Sequence, residues 1–267
     1  MSLFHLVLVA VIQGITEFLP VSSSGHLILL PNLTGMNDQG LVIDVAVHVG
    51  TLGAVMLFFR EDVARALRGL LDLASGRAGT DNARLAGLLI VATIPVVLAG
   101  LVVHVTGLSD HLRSTAVIGW AMLGFGLVLF WADRTGPEHR VARDWSLKDA
   151  VTMGLWQAVA LIPGTSRSGI TITGGRFLGF RREDAARIAM LMSIPTIIAS
   201  GTLLGIDVAA RADMAAARDG AVAAVFAFVA AYGSLSVMMR LLKSVSFTPY
   251  VIYRVLLGVV LLWIAYS

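Results

Sequence analysis

The sequence predicts an all-α integral membrane protein: six transmembrane helices plus two re-entrant helix–loop–helix pairs, built as an inverted-topology internal repeat. Three observations carry that expectation. The composition is that of a membrane protein, six apolar stretches can cross a bilayer, and two polar, Gly/Pro-broken segments share one pattern. Of 267 residues, 57% are hydrophobic and 14% charged, and the mean hydropathy is +0.84. A soluble domain is about 45–50% apolar and about 25% charged. The composition therefore excludes a soluble globular enzyme, a disordered chain and a nucleic-acid-binding module. With no cysteine, thiolate catalysis, disulfides and Cys-ligated metals are excluded as well.

Residues 1–30 contain no Lys or Arg. They lack the charged head of a secretory signal and are expected to belong to the mature fold. Within Ser2–Leu30, Glu17, Pro20 and a serine run interrupt the apolar sequence. Two short helices around a polar turn, entering and leaving on one side, fit that pattern. A spanning helix needs about 17–25 apolar residues. Leu41–Phe59, Leu85–Val105 and Arg113–Ala132 meet that length. Leu147–Phe180 is again broken, by Pro163, Gly164 and a polar run. Asp184–Ile206, Ala221–Leu241 and Pro249–Tyr266 supply three more spans.

The two broken regions align. A shift of 144 places Gln13 on Gln157, Ser22 on Ser166, Ser24 on Ser168 and Gly25 on Gly169, while Pro20 and Pro163 slip by one. Three spans follow each broken region. The expected division is repeat one at 1–132, a cytoplasmic linker at 133–148 and repeat two at 149–267. An odd number of crossings per repeat inverts the second copy. Loop charges give the same topology independently. Arg60, Arg65, Arg68, Arg77 and Arg84, then Arg134, Arg140, Arg143 and Lys148, then Arg176, Arg181, Arg182 and Arg187, then Arg240 and Lys243 form four basic clusters. Loops 32–40 and 106–112 carry no Lys or Arg, and segment 207–219 balances Arg211 and Arg218 against Asp207, Asp213 and Asp219. The positive-inside rule makes the four clusters cytoplasmic. The first polar turn then opens outward, the second inward, and the two tips meet near the midplane.

Polar groups at membrane depth are costly and mark function. Gln13 and Glu17, four residues apart, share a helix face. The Glu17 carboxylate can bind a metal, act as a base or orient a histidine; the bland alternative is a packing hydrogen bond. Ser22, Ser23, Ser24 and His26 place three hydroxyls and an imidazole on one turn. A hydroxyl can attack phosphorus and a histidine can move the proton, although serines also cap helices. Gly164, Thr165, Ser166, Arg167, Ser168 and Gly169 open a short helix whose free N–H groups suit an anion. The Arg167 fork suits phosphate oxygens; the alternative is a salt bridge to Glu17 that pins the tips. The spacing is not that of a Walker loop. Asp44 and His48 share a face and are weaker candidates. Gly119, Gly124 and Gly126 suit close helix packing. Met190, Met192, Met238 and Met239 are expected in the core or against lipid. The five tryptophans fall mostly near span ends, as interfacial anchors do.

The strings QGITEFLPVSSSGH and PGTSRSG, with VHVGTL between them, resemble the undecaprenyl-diphosphate phosphatase family, membrane phosphatases linked to bacitracin resistance. The resemblance spans essentially the whole chain. It implies a bacterial inner-membrane, multi-pass enzyme that removes one phosphate from a C55 polyprenyl diphosphate and recycles the lipid carrier for peptidoglycan synthesis. Its site would open to the periplasmic or outer side. The implied catalytic residues are Glu17, Ser23, His26 and Arg167. The implied substrate-binding residues are Gln13, Ser22, Gly164, Thr165, Ser166, Ser168, Gly169 and Thr171. A divalent cation, Mg²⁺ or Ca²⁺, is implied near Glu17; with Gln13 neutral, one carboxylate would have to share it with substrate phosphates. No organic cofactor and no nucleic acid are expected. The expected partners are the polyprenyl diphosphate and membrane lipids, with a homodimer as a candidate assembly. In this scheme Ser23 attacks phosphorus, Glu17 assists as base or metal ligand, and His26 donates a proton or activates water; Ser22 or direct attack by water are the alternatives. A transporter of polyprenyl phosphate lipids using the same midplane site is the rival class.

Overall fold

The computed structural model describes residues 2–35, 39–108, 112–211 and 214–267, with side chains at all of these except 32–34, 206–211 and 215. The charge reading above reached into residues 36–38, 109–111 and 212–213, Asp213 included. These lie outside the described residues, as do the side chains of Asp207 and Arg211.

The described residues are helical apart from turns and one isolated bridge between Arg140 and Phe180. The order is α1 (Leu3–Phe18), α2 (Ser23–Thr34), α3 (Gly40–Phe58), α4 (Arg60–Ala74), α5 (Asp81–Thr106) and α6 (Thr115–Thr135), then α7 (Leu147–Val159), α8 (Arg167–Phe177), α9 (Arg182–Arg211), α10 (Met214–Leu241) and α11 (Thr248–Tyr266). Six are long and apolar enough to cross a membrane: α3, α5, α6, Arg182–Gly205 of α9, Ala216–Leu241 of α10, and α11. They coincide with the six expected spans to within a few residues at each end. Both broken regions fold as two helices around a turn, α1–α2 and α7–α8.

Helix starts are set by hydroxyl caps, which accept orphan N–H groups of the first turn. Ser2 caps His5, Thr80 caps Ala83 and Ser114 caps Val117. Ser146 and Asp149 cap α7 reciprocally, as a capping box does.

Three expectations are corrected. The basic segment 60–84 is not a loop throughout, because α4 occupies Arg60–Ala74. Its helical register buries Asp62 and Gly69 and leaves Leu67, Leu70 and Leu71 exposed. Exposed leucines beside arginines suit a helix lying in the headgroup plane. Trp145 is no interfacial anchor: it is buried in the main core, whereas Trp120, Trp131 and Trp263 are exposed. Arg176 is not a free loop charge. It is fully buried and bonds Asp133, Glu138 and the Phe180 carbonyl.

The main core gathers Phe18, Val55, Leu89, Met153, Ile172, Met190, Met192, Leu235, Met238 and Val251. The spans still turn much apolar surface outward, for example Val105, Leu256 and Trp263. Soluble monomers avoid large contiguous exposed apolar patches; lipid-facing helices require them. The chain is a multi-pass membrane protein. Close approach of α10 to α1 and α3 depends on two glycines. A Cβ on Gly14 would lie 2.6 Å from the Ala227 carbonyl oxygen, and one on Gly50 would lie 2.2 Å from that of Ala224. Gly119 and Gly126 likewise seat α6 on α11, but Gly124 faces open space. At the arginine-rich edge, Arg140 binds Asp149, Arg182 binds Asp133, and Arg187 binds Asp62, which ties residues 133–149 to α9 and α9 to α4.

Candidate active site

The two turns reach the same serine conformation by different approaches. α1 stops at Phe18, Leu19 is extended, and Pro20 leads into Ser22. Ser22 has φ +71° and ψ +97°, and its hydroxyl accepts from the Gly25 N–H. α7 stops at Val159 and unwinds through tight turns to Gly164 and Ser166. Ser166 has φ +69° and ψ +111°, and its hydroxyl accepts from the Gly169 N–H. Among the described residues these two serines alone, glycine aside, have positive φ. Such residues are strained by about 1–3 kcal/mol and cluster at functional sites.

The turns meet. Ser168 Oγ donates to the Leu19 carbonyl at 3.0 Å. Arg167, the first residue of α8, reaches Glu17 at the end of α1 and bonds its Oε1 through Nη2. Its Nη1 donates to the Ser193 carbonyl of α9 at 3.3 Å. The other carboxylate oxygen accepts from Gln13 Nε2 at 2.9 Å and from Ser23 Oγ at 2.8 Å. His48 Nε2 lies 3.9 Å from that same oxygen. The His48 Nδ1 must carry its proton, because it contacts the Asp44 carbonyl at 2.7 Å and a carbonyl can only accept.

A polar cavity of about 160 Å³ opens between the turns, lined by Glu17, Ser22, Ser23, Ser24, His48, Ala160, Ser166, Arg167, Ile197 and Ser200. Of the expected residues, Glu17, Ser22, Ser23, Ser166 and Arg167 form its wall. Gln13 stands behind Glu17. Gly164, Thr165, Ser168, Gly169 and Thr171 frame the second turn without lining the cavity. Thr171 Oγ1, for instance, donates to the Arg167 carbonyl. His26 is not in the wall. Its Nδ1 donates to the Ser22 carbonyl at 2.7 Å, and its Nε2 meets the Tyr253 hydroxyl. The two rings stack at 5.6 Å. The imidazole in the wall is His48.

Sequence reasoning missed Ser200, Ile197 and the Ser193 carbonyl, all on α9. It also missed Tyr253 and Arg254 on α11. Of these, only Arg254 carried a signal: a cation in the middle of an expected span.

The constellation combines a hydroxyl bonded to a carboxylate, a guanidinium, and the start of a helix. Together these groups can hold a phosphate and attack it. The chain matches the family model described as bacitracin resistance protein BacA over residues 6–260. It is 72% identical, over the whole of both chains, to an undecaprenyl-diphosphatase of Ruegeria pomeroyi. It is 68% identical over the whole of both chains to one of Jannaschia. It is 49% identical to one of Teredinibacter turnerae over 98% of each chain.

Proposed function

The chain belongs to the bacitracin resistance protein BacA family, and from that premise we infer that it is an integral-membrane phosphatase. It hydrolyses undecaprenyl diphosphate to undecaprenyl phosphate and inorganic phosphate, recycling the lipid carrier for peptidoglycan synthesis. The observation that carries this reading is the Ser23–Glu17–Arg167 chain of contacts, which joins both turns around one cavity. The relatives bear the name of a phosphatase, which favours hydrolysis over transport.

We propose that the diphosphate enters the cavity while the polyprenyl tail stays between helices, since about 160 Å³ is too small for a C55 chain. Arg167 and the N–H groups at the start of α8 take the negative charge, which is most of what phosphoryl transfer needs. Ser23 Oγ attacks the terminal phosphorus and passes its proton to Glu17. The bond from phosphorus to the bridging oxygen breaks, and undecaprenyl phosphate leaves. A phosphate monoester titrates near pH 6, so this leaving group needs little help from an acid. Water then attacks the phosphoserine, the bond from Ser23 Oγ to phosphorus breaks, Glu17 returns its proton to Oγ, and inorganic phosphate leaves. His48, whose Nε2 faces Glu17, is the imidazole best placed to activate the water. His26 braces the turn through the Ser22 carbonyl.

A divalent cation fits only in part. Among the described residues no three His, Asp or Glu side chains gather into a metal site, and both Glu17 oxygens already accept bonds. We propose that Mg²⁺ or Ca²⁺ is held mainly by substrate oxygens, with Glu17 as the protein ligand, and that it supplies charge neutralisation. The equal serine conformations at the two turns support the inverted repeat of 1–132 and 149–267 and the re-entrant character of both pairs. The basic clusters support a cytoplasmic 133–148 linker, inner-membrane placement and a site open to the outer side. The mass of the detergent-solubilised particle tests the homodimer.

Phosphate release from polyprenyl diphosphate by purified protein in detergent, beside Arg167→Ala, tests the reading. Release by the wild type and its loss in the variant are expected. No release from folded wild type, with Mg²⁺ and Ca²⁺ each tried, would sink it in favour of transport.

A further inference from the structure

Arg254 lies in the middle of the membrane-spanning α11 and is completely buried. A buried guanidinium normally needs a carboxylate. Among the described residues, every bond this one makes goes to a backbone carbonyl. Its Nη2 donates to Thr165 at 2.9 Å, to Gly164 at 3.2 Å and to Ala121 at 3.4 Å. Its Nε donates to Met122 at 3.2 Å, and its Nη1 reaches Pro20 at 3.5 Å. One planar fork therefore touches the first turn, the second turn and α6 together. Gly169 leaves room for it, since a Cβ there would stand 2.9 Å from Nη1. The preceding residue, Tyr253, holds His26 of α2.

Carbonyl oxygens carry only partial negative charge, so none of these bonds sets a full anion against the cation. A hydrophobic residue of similar volume would avoid that cost but would take the donor away from the Pro20, Gly164 and Thr165 carbonyls. What such a residue cannot do is hold two separate turns in one plane. We propose that Arg254 is a positioning residue for phosphoryl transfer. It fixes the turn carrying Ser23 against the turn carrying Arg167, so that nucleophile and anion site keep one separation. This rests on the function proposed above. Its charge also favours a bound diphosphate beside those turns.

Arg254→Lys and Arg254→Gln, purified in detergent and counted by their monodisperse folded fraction, test the inference through phosphate release. Lysine keeps the charge but is a point donor that cannot fork across both turns. A misplacement near 1 Å can cost about 100-fold in rate. Arg254→Lys is therefore expected to lower kcat per folded molecule by ~10- to 100-fold with KM within about threefold. Arg254→Gln is expected to lower kcat similarly and to raise KM as well. A merely structural arginine would lower melting temperature and yield, and leave kcat per folded molecule and KM unchanged in both. That outcome overturns the proposal. Should neither variant fold, Gly126→Ala decides. It keeps the arginine but places a methyl 3.3 Å from its Cβ and 3.5 Å from Nε. A several-fold fall in kcat at constant KM supports positioning, and a kcat within twofold of wild type refutes it. Wild-type protein that releases no phosphate would instead refute the phosphatase reading itself.

Discussion

Replacing Glu17 by glutamine swaps one oxygen for an amide of nearly the same shape and removes one charge. In the native site Oε2 accepts from Gln13 at 2.9 Å and from Ser23 at 2.8 Å, while Oε1 accepts from Arg167. The new NH2 group must face either Ser23 and Gln13 or Arg167. Facing Arg167, donor meets donor; facing Ser23 and Gln13, a hydroxyl and a turned amide oxygen can accept it, but Arg167 is left with a neutral oxygen in place of a carboxylate. Hydrogen bonds to charged groups contribute about 1.5–3 kcal/mol each, and removing one partner of a buried pair costs about 3–5 kcal/mol. The side chains of Glu17 and Arg167 are 6% and 18% exposed, so the cost to stability should sit near the lower end, about 3 kcal/mol. The cost to activity is separable. Ser23 loses its proton acceptor, and positioned general bases are worth about 10²- to 10⁴-fold. Glu17→Gln should therefore melt earlier and, per folded molecule, show kcat lowered by at least about 100-fold. Phosphate release and a thermal melt on the same preparation separate the two effects. A folded Glu17→Gln enzyme with kcat within tenfold of wild type would remove Glu17 from the role of base, whatever its stability.

Ser23→Ala should abolish the phosphoserine trapped by rapid quench, whereas Ser22→Ala, whose hydroxyl caps α2, should weaken but not abolish it; equal labelling in Ser23→Ala and wild type would assign the attack elsewhere. His48→Ala should accumulate phosphoserine because water attack slows, while His26→Ala should lower its formation by loosening the turn. The reverse pattern would return the second step to His26. For Asp149, burial pushes the carboxyl up, but Arg140, the Ser146 hydroxyl and N–H, and the Arg140 charge outweigh it and hold the group below its ordinary value. A depressed carboxylate stabilises the fold above its unfolded pKa of about 3.9 and loses that contribution as pH falls through the lower folded value. Asp149→Asn should thus lower the melting temperature by an amount constant from pH 8 to 5. The gap should close below about pH 4, and a gap that instead closes between pH 8 and 6 would contradict this ion pair.

What the sequence makes legible here follows the range of the physics. Spans are local: a run of apolar residues must cross the bilayer as a helix, because lipid offers its backbone no partners, and all six were placed by length alone. The turns were legible because proline, glycine and serine encode them within a few residues. The helix α4 was hidden because arginines in a connection read as loop charge until helical spacing is tested. The histidines were harder. His26 is three residues from Ser23 along the chain, but the Ser22 carbonyl and Tyr253 turn it away. His48 comes from another helix, and only the packing of α3 brings it to Glu17. Arg254 lies 90 residues from the Gly164 carbonyl it bonds, and no local pattern encodes such a contact.

The alignment of the two turns explains how the site divides its labour. At the shift of 144, Ser22 falls on Ser166, Ser24 on Ser168 and Gly25 on Gly169. The backbone angles and cap bonds agree at both turns. Chemistry departs from the pattern at three positions: Ser23 falls on Arg167, Glu17 on Leu161 and His26 on Ile170. The two turns, each with a strained serine, therefore carry opposite equipment, a hydroxyl with its carboxylate on one and a cation on the other. The Glu17–Arg167 bond closes across the proposed repeat axis, as does the bond from Ser168 to Leu19. A symmetric pair of cradles would offer an anion two equivalent places and no nucleophile. In the proposed mechanism, breaking the symmetry at Ser23/Arg167 and Glu17/Leu161 leaves one cradle to hold the phosphate and the other to attack it.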